Sequence, residues 1–169
     1  KNNLAMVIIS DMTEMVAQKQ ALLMKASALE QDSYHDVLTS SYNRRYMWSW
    51  LEKEFAKAVE EESTISCILL DLDHFKPIND SYGHEVGDKV LKEFRCLCQS
   101  YLRASDIFVR YGGEEFVILL SKCSLKNSFL IANKINKGLA CASIAGLPQG
   151  RVTCSSGLAC WNYQNPISA

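Results

Sequence analysis

The chain has almost no net charge: across 169 residues, 18 lysines and arginines balance 19 aspartates and glutamates, leaving a formal charge of −1. Such a balance creates no long-range field for duplex DNA or an anionic membrane, so any nucleotide recognised is expected to be a small molecule and not a nucleic acid polymer. Zinc spacing is also missing. The seven cysteines (Cys67, Cys96, Cys98, Cys123, Cys141, Cys154 and Cys160) include no CxxC or Cys/His arrangement, and they read as small core hydrophobes in a reducing cytosol. No signal peptide is visible and no apolar run is long enough to span a bilayer, so membrane contact is not indicated. The absence of GxxxxGKS/T excludes a P-loop nucleotidase. What is present, 48% hydrophobic and 22% charged residues, is the balance of one globular domain with appendages.

Leu4 to Ser10 is a short β-like run, and beyond Asp11-Met12-Thr13-Glu14 a stretch to about Asp36 carries Met15, Leu22 and Leu29 at heptad spacing. It reads as a helix, able either to pair with a copy of itself or to lie on its own domain. Asn43 to Glu62 places Met47, Trp48, Leu51, Phe55, Ala58 and Val59 at helical spacing. Ile65 to Leu70, apolar on both faces, suits a central strand. Residues 74–86 read as a polar loop, where turn formers dominate. A helix is expected from about Asp88 to Leu102, strands over Asp106 to Tyr111 and Glu115 to Ser121 joined at Gly112-Gly113, a helix over Leu125 to Ala142 and a last strand over Val152 to Trp161. This order predicts an α+β fold with helices packed on one face of an antiparallel-rich sheet.

The acids stand where this layout makes them expensive. Asp71 ends a buried strand, where an unpartnered charge is costly, and a neighbouring hairpin brings Glu114 and Glu115 to the same edge. Like charges converge sensibly if a divalent cation lies between them; otherwise they are solvated loop acids. Gly112 and Gly113, lacking Cβ atoms, let a phosphate or sugar approach the backbone. Magnesium held by one or two carboxylates plus substrate phosphates fits so small a ligand set.

DLDHFKPINDSYGHEVGDKVLKEF (71–94) followed by RYGGEEF (110–116) resembles the GGDEF domain of bacterial diguanylate cyclases, in its GGEEF variant. DVLTSSYNRR (36–45) resembles the family's opening DxLTGLxNRR, and VTCSSGLA (152–159) its later VTxSxGxA strand. The resemblance covers residues 36–160 and implies an α+β fold related to the nucleotidyl cyclase and polymerase palm. It further implies that Asp71, the Leu72 carbonyl and Glu114 hold magnesium or manganese. Phe75 and Lys76, in the loop that starts at His74, would hold the β- and γ-phosphates, with Gly112 and Gly113 close to the substrate and His84 lining the site. Asn79 and Asp88 would read guanine, since a carboxylate can accept from N1–H and the 2-amino group, which adenine lacks. Their structural alternatives are an Asx turn for Asn79 and a helix N-cap for Asp88.

The implied reaction joins two GTP molecules into cyclic di-GMP with loss of pyrophosphate, with Glu114 activating the 3′-hydroxyl and Glu115 as supporting acid or base. One GTP per domain makes a homodimer necessary. Arg103 and Asp106 match the family's RxxD product-inhibition site, and are otherwise a surface ion pair. VIISDMTE resembles the end of a PAS-type sensor, so residues 1–14 are assigned to its last strand, 15–35 to a signalling helix and 36–169 to the GGDEF domain. The expected location is the bacterial cytoplasm, with the longer protein open to membrane attachment.

Several positions depart from the family pattern. Ser40-Ser41 replaces Gly-Leu, His74 stands where an aromatic is usual, and Ser156 replaces Ile. The family's following helix, YxAKxxGRN, is not in the sequence, so the chain is expected to be a fragment that binds GTP weakly and turns over poorly. Two rivals are a silent module that senses GTP or cyclic di-GMP, and a relay that only dimerises a partner.

Overall fold

The structure is a computed structural model that describes residues 34–163 together with Met15, Val16 and Lys19, which are helical and exposed. The proposed sensor strand at 1–14, the rest of the expected helix up to residue 33, and residues 164–169 lie outside the described residues. The chain divides into two units, one ending at His35 and one beginning at Asp36. The second unit is described below.

Its elements run β1 (Tyr42–Asn43), α1 (Arg44–Glu60), β2 (Thr64–Leu72), α2 (Phe75–Tyr82), α3 (His84–Ser100), β3 (Ile107–Gly112), β4 (Glu115–Ser121), α4 (Leu125–Cys141) and β5 (Cys154–Asn162). The sheet order is β1-β3-β4-β2-β5, with β1 parallel to β3 and every other pair antiparallel. β2 is central, as its two-sided apolarity predicts. Ile68, Leu70 and Leu72 point to one face, into a core shared with Phe75 and Ile78 of α2, Phe94 of α3 and Ile135 of α4. Residues of the opposite parity, Val109, Val117 and Leu119, form a second cluster with Met47 of α1. Helices therefore cover both faces, not one as expected. Only part of the α1 stripe is used, because Met47 and Ala58 are buried while Trp48 and Val59 are each 59% exposed.

Local chemistry sets the helix ends. Asn43 caps α1 by accepting from the Tyr46 amide at 3.1 Å, and Ser124 caps α4 by accepting from the Asn127 amide at 3.3 Å. The one buried hydroxyl within β2, on Ser66, donates to the Cys123 carbonyl at 2.6 Å, so its burial leaves no polar atom unpaired. All seven cysteines are free thiols; Cys98 and Cys123 are buried, but Cys96, Cys141 and Cys160 are exposed, so the uniform core role expected of them holds only in part. Among the described residues no helix is long and apolar enough to cross a membrane.

The largest correction concerns 74–86. In place of a loop there is α2, and α3 begins at His84, four residues earlier than the expected start at Asp88. Phe75 and Ile78, 9% and 1% exposed, anchor α2 to the core and overcome the turn-forming composition of its other residues. Pro77 lies in the first turn, where the missing N–H is tolerated.

Candidate active site

Three segments meet at one end of β2. The first is the strand end itself, where Asp71 pairs with Glu115 of β4 on one side and Ser155 of β5 on the other. Directly opposed residues of an antiparallel ladder share a face, with Cβ atoms about 4.5–5.5 Å apart. Asp71 and Glu115 are therefore neighbours on one face, and both are exposed. Glu114 precedes β4 in the turn, half-buried, and its carbonyl accepts from the Leu72 amide at 3.3 Å. That bond fixes the hairpin turn against the end of β2, while the Leu72 side chain is buried in the core.

The turn differs from a simple Gly-Gly hairpin. Gly112 belongs to β3 and pairs with Glu115, a register shift falls between Arg110 and Gly112, and the turn itself is Gly113-Glu114. Gly113 has φ +52°, which a glycine adopts without strain, and no atom lies within 4 Å of where a Cβ would stand on Gly112 or Gly113. The space over both glycines is open to a ligand.

Among the described residues no group of three or more His, Cys, Asp or Glu side chains is placed to hold a metal ion. The convergence of Asp71, Glu114 and Glu115 on one ion is thus not present as a three-carboxylate cluster. Opposed carboxylates and a nearby backbone carbonyl still form a small set of hard oxygens, which fits a divalent ion that completes its shell with phosphate and water.

The second segment is the corner into α2. His74 occupies the left-handed region at φ 56° and ψ 33°, which costs a residue with a Cβ about 1–2 kcal/mol. No side chain caps α2, so the Phe75 and Lys76 amides have no intrahelical partner, and the Lys76 side chain is exposed. Asp73, just before the corner, is tied to β5. Its carboxylate accepts from Thr153 Oγ1 at 2.8 Å and Ser155 Oγ at 2.6 Å, and its amide donates to the Thr153 carbonyl at 2.9 Å.

The third is the notch between α2 and α3. A Cβ on Gly87 would stand 1.8 Å from Asn79 Oδ1 and 2.9 Å from its Cγ, so the Asn79 amide lies over the Gly87 backbone. Asp88 follows in the next position and is exposed, and His84, also exposed, opens α3. Asn79 is therefore in a helix and not in an Asx-turn loop, and Asp88 is past the first turn of α3, whose N-cap is Gly83. Both structural alternatives for these residues fall.

Arg103 and Asp106 lie in the turn between α3 and β3. Asp106, 8% exposed, accepts the Arg103 amide on Oδ2 at 2.8 Å and donates its own amide to the Arg103 carbonyl at 3.1 Å. The aspartate closes the turn through backbone bonds, not through the side-chain ion pair that was the structural alternative, and the Arg103 side chain is exposed.

Two residues missed in the sequence hold the glycine turn from behind. Arg110 donates Nε and Nη2 to the Gly113 carbonyl at 3.0 and 2.9 Å, and Nη1 to both oxygens of Asp36 at 3.0 and 3.3 Å. Asp36 also accepts from the Thr39 hydroxyl and amide at 2.6 and 2.8 Å. Burial pushes its carboxyl up, but the bonds from Thr39 and Arg110 outweigh that and hold it below the usual carboxylate value. The Arg44 guanidinium lies over the Tyr111 ring, 4.2 Å from its centroid. The pairing of Arg110 with Asp36 spans 74 residues of sequence, so no local pattern signals it.

A mixed sheet flanked by helices, with acids on a hairpin opposite a strand-end aspartate, is the palm-like fold of nucleotidyl cyclases. Residues 33–168 match the family described as diguanylate cyclase, GGDEF domain. The chain is 37% identical over 158 residues to diguanylate cyclase DgcM of Escherichia coli K12, covering 94% of this chain and 36% of that protein. It is 43% identical over 100 residues to response regulator PleD of Caulobacter vibrioides, covering 59% of this chain and 22% of PleD. Among solved structures, the active GGEEF domain of a diguanylate cyclase from Vibrio cholerae superimposes with a TM-score of 0.67 at 32% identity, covering 73% of this chain and 79% of that one. The chain belongs to the diguanylate cyclase GGDEF-domain family. It spans about a fifth to a third of the length of these two curated relatives.

Proposed function

We propose that this chain is one catalytic half of a diguanylate cyclase, which condenses two GTP into cyclic di-GMP in a signal-controlled bacterial pathway. The observation that carries this reading is the cross-strand opposition of Asp71 and Glu115 beside the open Gly112-Gly113 backbone. The Phe75 and Lys76 amides and the Lys76 ammonium receive the β- and γ-phosphates, as a helix start with free donors favours anions. Asn79 and Asp88 take the guanine edge in the α2–α3 notch, and His84 lines the same opening. A magnesium or manganese ion held by Asp71, the Leu72 carbonyl and Glu114 would neutralise charge on the phosphates.

In each of two equivalent steps a 3′-hydroxyl oxygen bonds to the α-phosphorus of the other nucleotide, the bond to the bridging oxygen breaks, and pyrophosphate leaves. Glu114 accepts the hydroxyl proton, with Glu115 beside it as supporting acid or base. Positioning together with charge stabilisation supplies most of the acceleration in such transfers. Because one half-site holds one GTP, the working form is a homodimer. Residues 1–14 as the end of a PAS-type sensor and 15–35 as a signalling helix would set the approach of the two halves. Arg103, exposed on a turn that Asp106 closes, is assigned to product inhibition.

The test is incubation with GTP and magnesium or manganese, followed by separation of the nucleotides. Cyclic di-GMP and pyrophosphate are expected, at a specific activity that rises with protein concentration, and neither from Glu114→Ala. GTP bound without turnover at any concentration would leave a sensor in place of an enzyme.

A further inference from the structure

We propose that Asp73 is a positioning residue that, through Thr153 and Ser155, fixes the corner whose amides receive the triphosphate. This inference rests on the phosphate role proposed above for Phe75 and Lys76. Asp73 does not share the situation of Asp71. Both its carboxylate oxygens are engaged, Oδ2 by the Thr153 hydroxyl at 2.8 Å and Oδ1 by the Ser155 hydroxyl at 2.6 Å. Its amide is bonded to the Thr153 carbonyl at 2.9 Å. These three bonds extend the β2–β5 ladder beyond its last pair, Leu72 with Cys154.

The clamp is needed where it stands. The next residue, His74, is held at φ 56°, a conformation disfavoured for any residue with a Cβ, and no side chain caps the helix that follows. A strained corner persists only when its surroundings over-determine it. The core fixes the far side through Phe75 and Ile78, while Asp73 fixes the near side through β5. Released from β5, the corner can relax toward an ordinary backbone, and the Phe75 and Lys76 amides then turn away from the phosphates. The sugar and base contacts, which lie elsewhere, are unaffected.

A hydroxyl can donate or accept, so an asparagine at 73 retains a partner for both Thr153 and Ser155, whereas alanine retains neither. This separates a geometric clamp from a charged ligand. Affinities for GTP and GMP are to be measured in parallel on wild type, Asp73→Ala, Asp73→Asn and the Thr153→Val/Ser155→Ala pair. Amide hydrogen exchange at residues 74–76 and thermal melting are followed on the same samples. The expected result is about tenfold weaker GTP binding in the alanine and double variants, the loss of one or two hydrogen bonds. GMP binding and melting stay near wild type, exchange at 74–76 quickens, and the rise falls in KM with little change in kcat. Asp73→Asn is expected to restore most of the GTP affinity.

Equal loss of GTP and GMP would overturn the proposal in favour of a general folding role. A loss in Asp73→Asn as large as in Asp73→Ala would overturn it in favour of a charge requirement. If wild type binds no GTP, the functional reading fails instead, and exchange alone decides the clamp: unchanged rates at 74–76 in the alanine variant refute it.

Discussion

Arg110 bridges Asp36, at the start of the domain, to the carbonyl of Gly113, using three of its nitrogens. The first residue of the second unit thus bears directly on the turn that carries Glu114. Replacing Arg110 by alanine removes the strut while leaving the apolar core intact. Cyclase activity is expected to fall at least tenfold, and stability by about 1.5–3 kcal/mol, the scale of hydrogen bonds to charged groups. Urea denaturation and product formation on the same sample check both numbers.

The same pair gives a pH dependence. Asp36 has a folded pKa below its unfolded value, so its contribution to stability is complete above the unfolded carboxylate range. It is lost as pH falls through the lowered folded value. In Asp36→Asn the stability profile should flatten in that acid window while changing little in shape near neutrality. Melting curves from pH 7 down to the acid limit of solubility would show it; parallel profiles for variant and wild type would refute it.

Gly87→Ala is the most local test of base recognition. Its Cβ would require the space of the Asn79 amide, 1.8 Å away, so that amide must be displaced. With a guanine partner left unpaired, GTP affinity should fall by about 1–3 kcal/mol, roughly five- to 150-fold, and preference over ATP should narrow. Titrations with both nucleotides decide it, with circular dichroism confirming an unchanged helix content.

Phe116 is fully buried, its ring centroid 5.2 Å from that of Phe94 and 5.3 Å from that of Phe108. It also adjoins Glu115. Phe116→Ala should cost about 3–5 kcal/mol through lost transfer energy and an unfilled cavity. A urea midpoint within error of wild type would refute this account of the core.

Cys154 provides a chemical probe of the same end of the sheet. Burial, then the negative charge of Asp73, and less so that of Asp71, outweigh an opposing bond with Ser156 and push its thiol up to about 12. It donates to Asn136 Oδ1 at 2.9 Å. At pH 8 it should resist alkylation while the exposed Cys96, Cys141 and Cys160 react, which peptide mass spectrometry after iodoacetamide resolves.

Four of the five strands, β2 to β5, and the position of the acids at one end of the sheet were legible because their signals are local. Two-sided apolarity marks β2 as central, and a glycine pair before charged residues marks the hairpin. What stayed hidden depends on distant partners. α2 is composed of Pro77, Asn79, Asp80 and Ser81 among others, residues that favour turns, and only the burial of Phe75 and Ile78 makes it helical. The clamp on Asp73 and the strut on Arg110 join residues 80 and 74 positions apart, which no periodicity connects. The placement of α1 on the opposite face needed the sheet order, since its stripe alone does not say which face it covers.

The opposition of Asp71 and Glu115 is a property of strand register as much as of the two side chains. Successive residues of a strand point to opposite faces, so slipping β4 by one position against β2 would send one carboxylate to the far side of the sheet. The apolar segment Phe116–Leu120, which touches no substrate in any reading given above, is therefore intolerant to length. Inserting or deleting a single residue there would separate the acids while preserving every one of them, and a gene could lose its chemistry without a mutation at any polar codon.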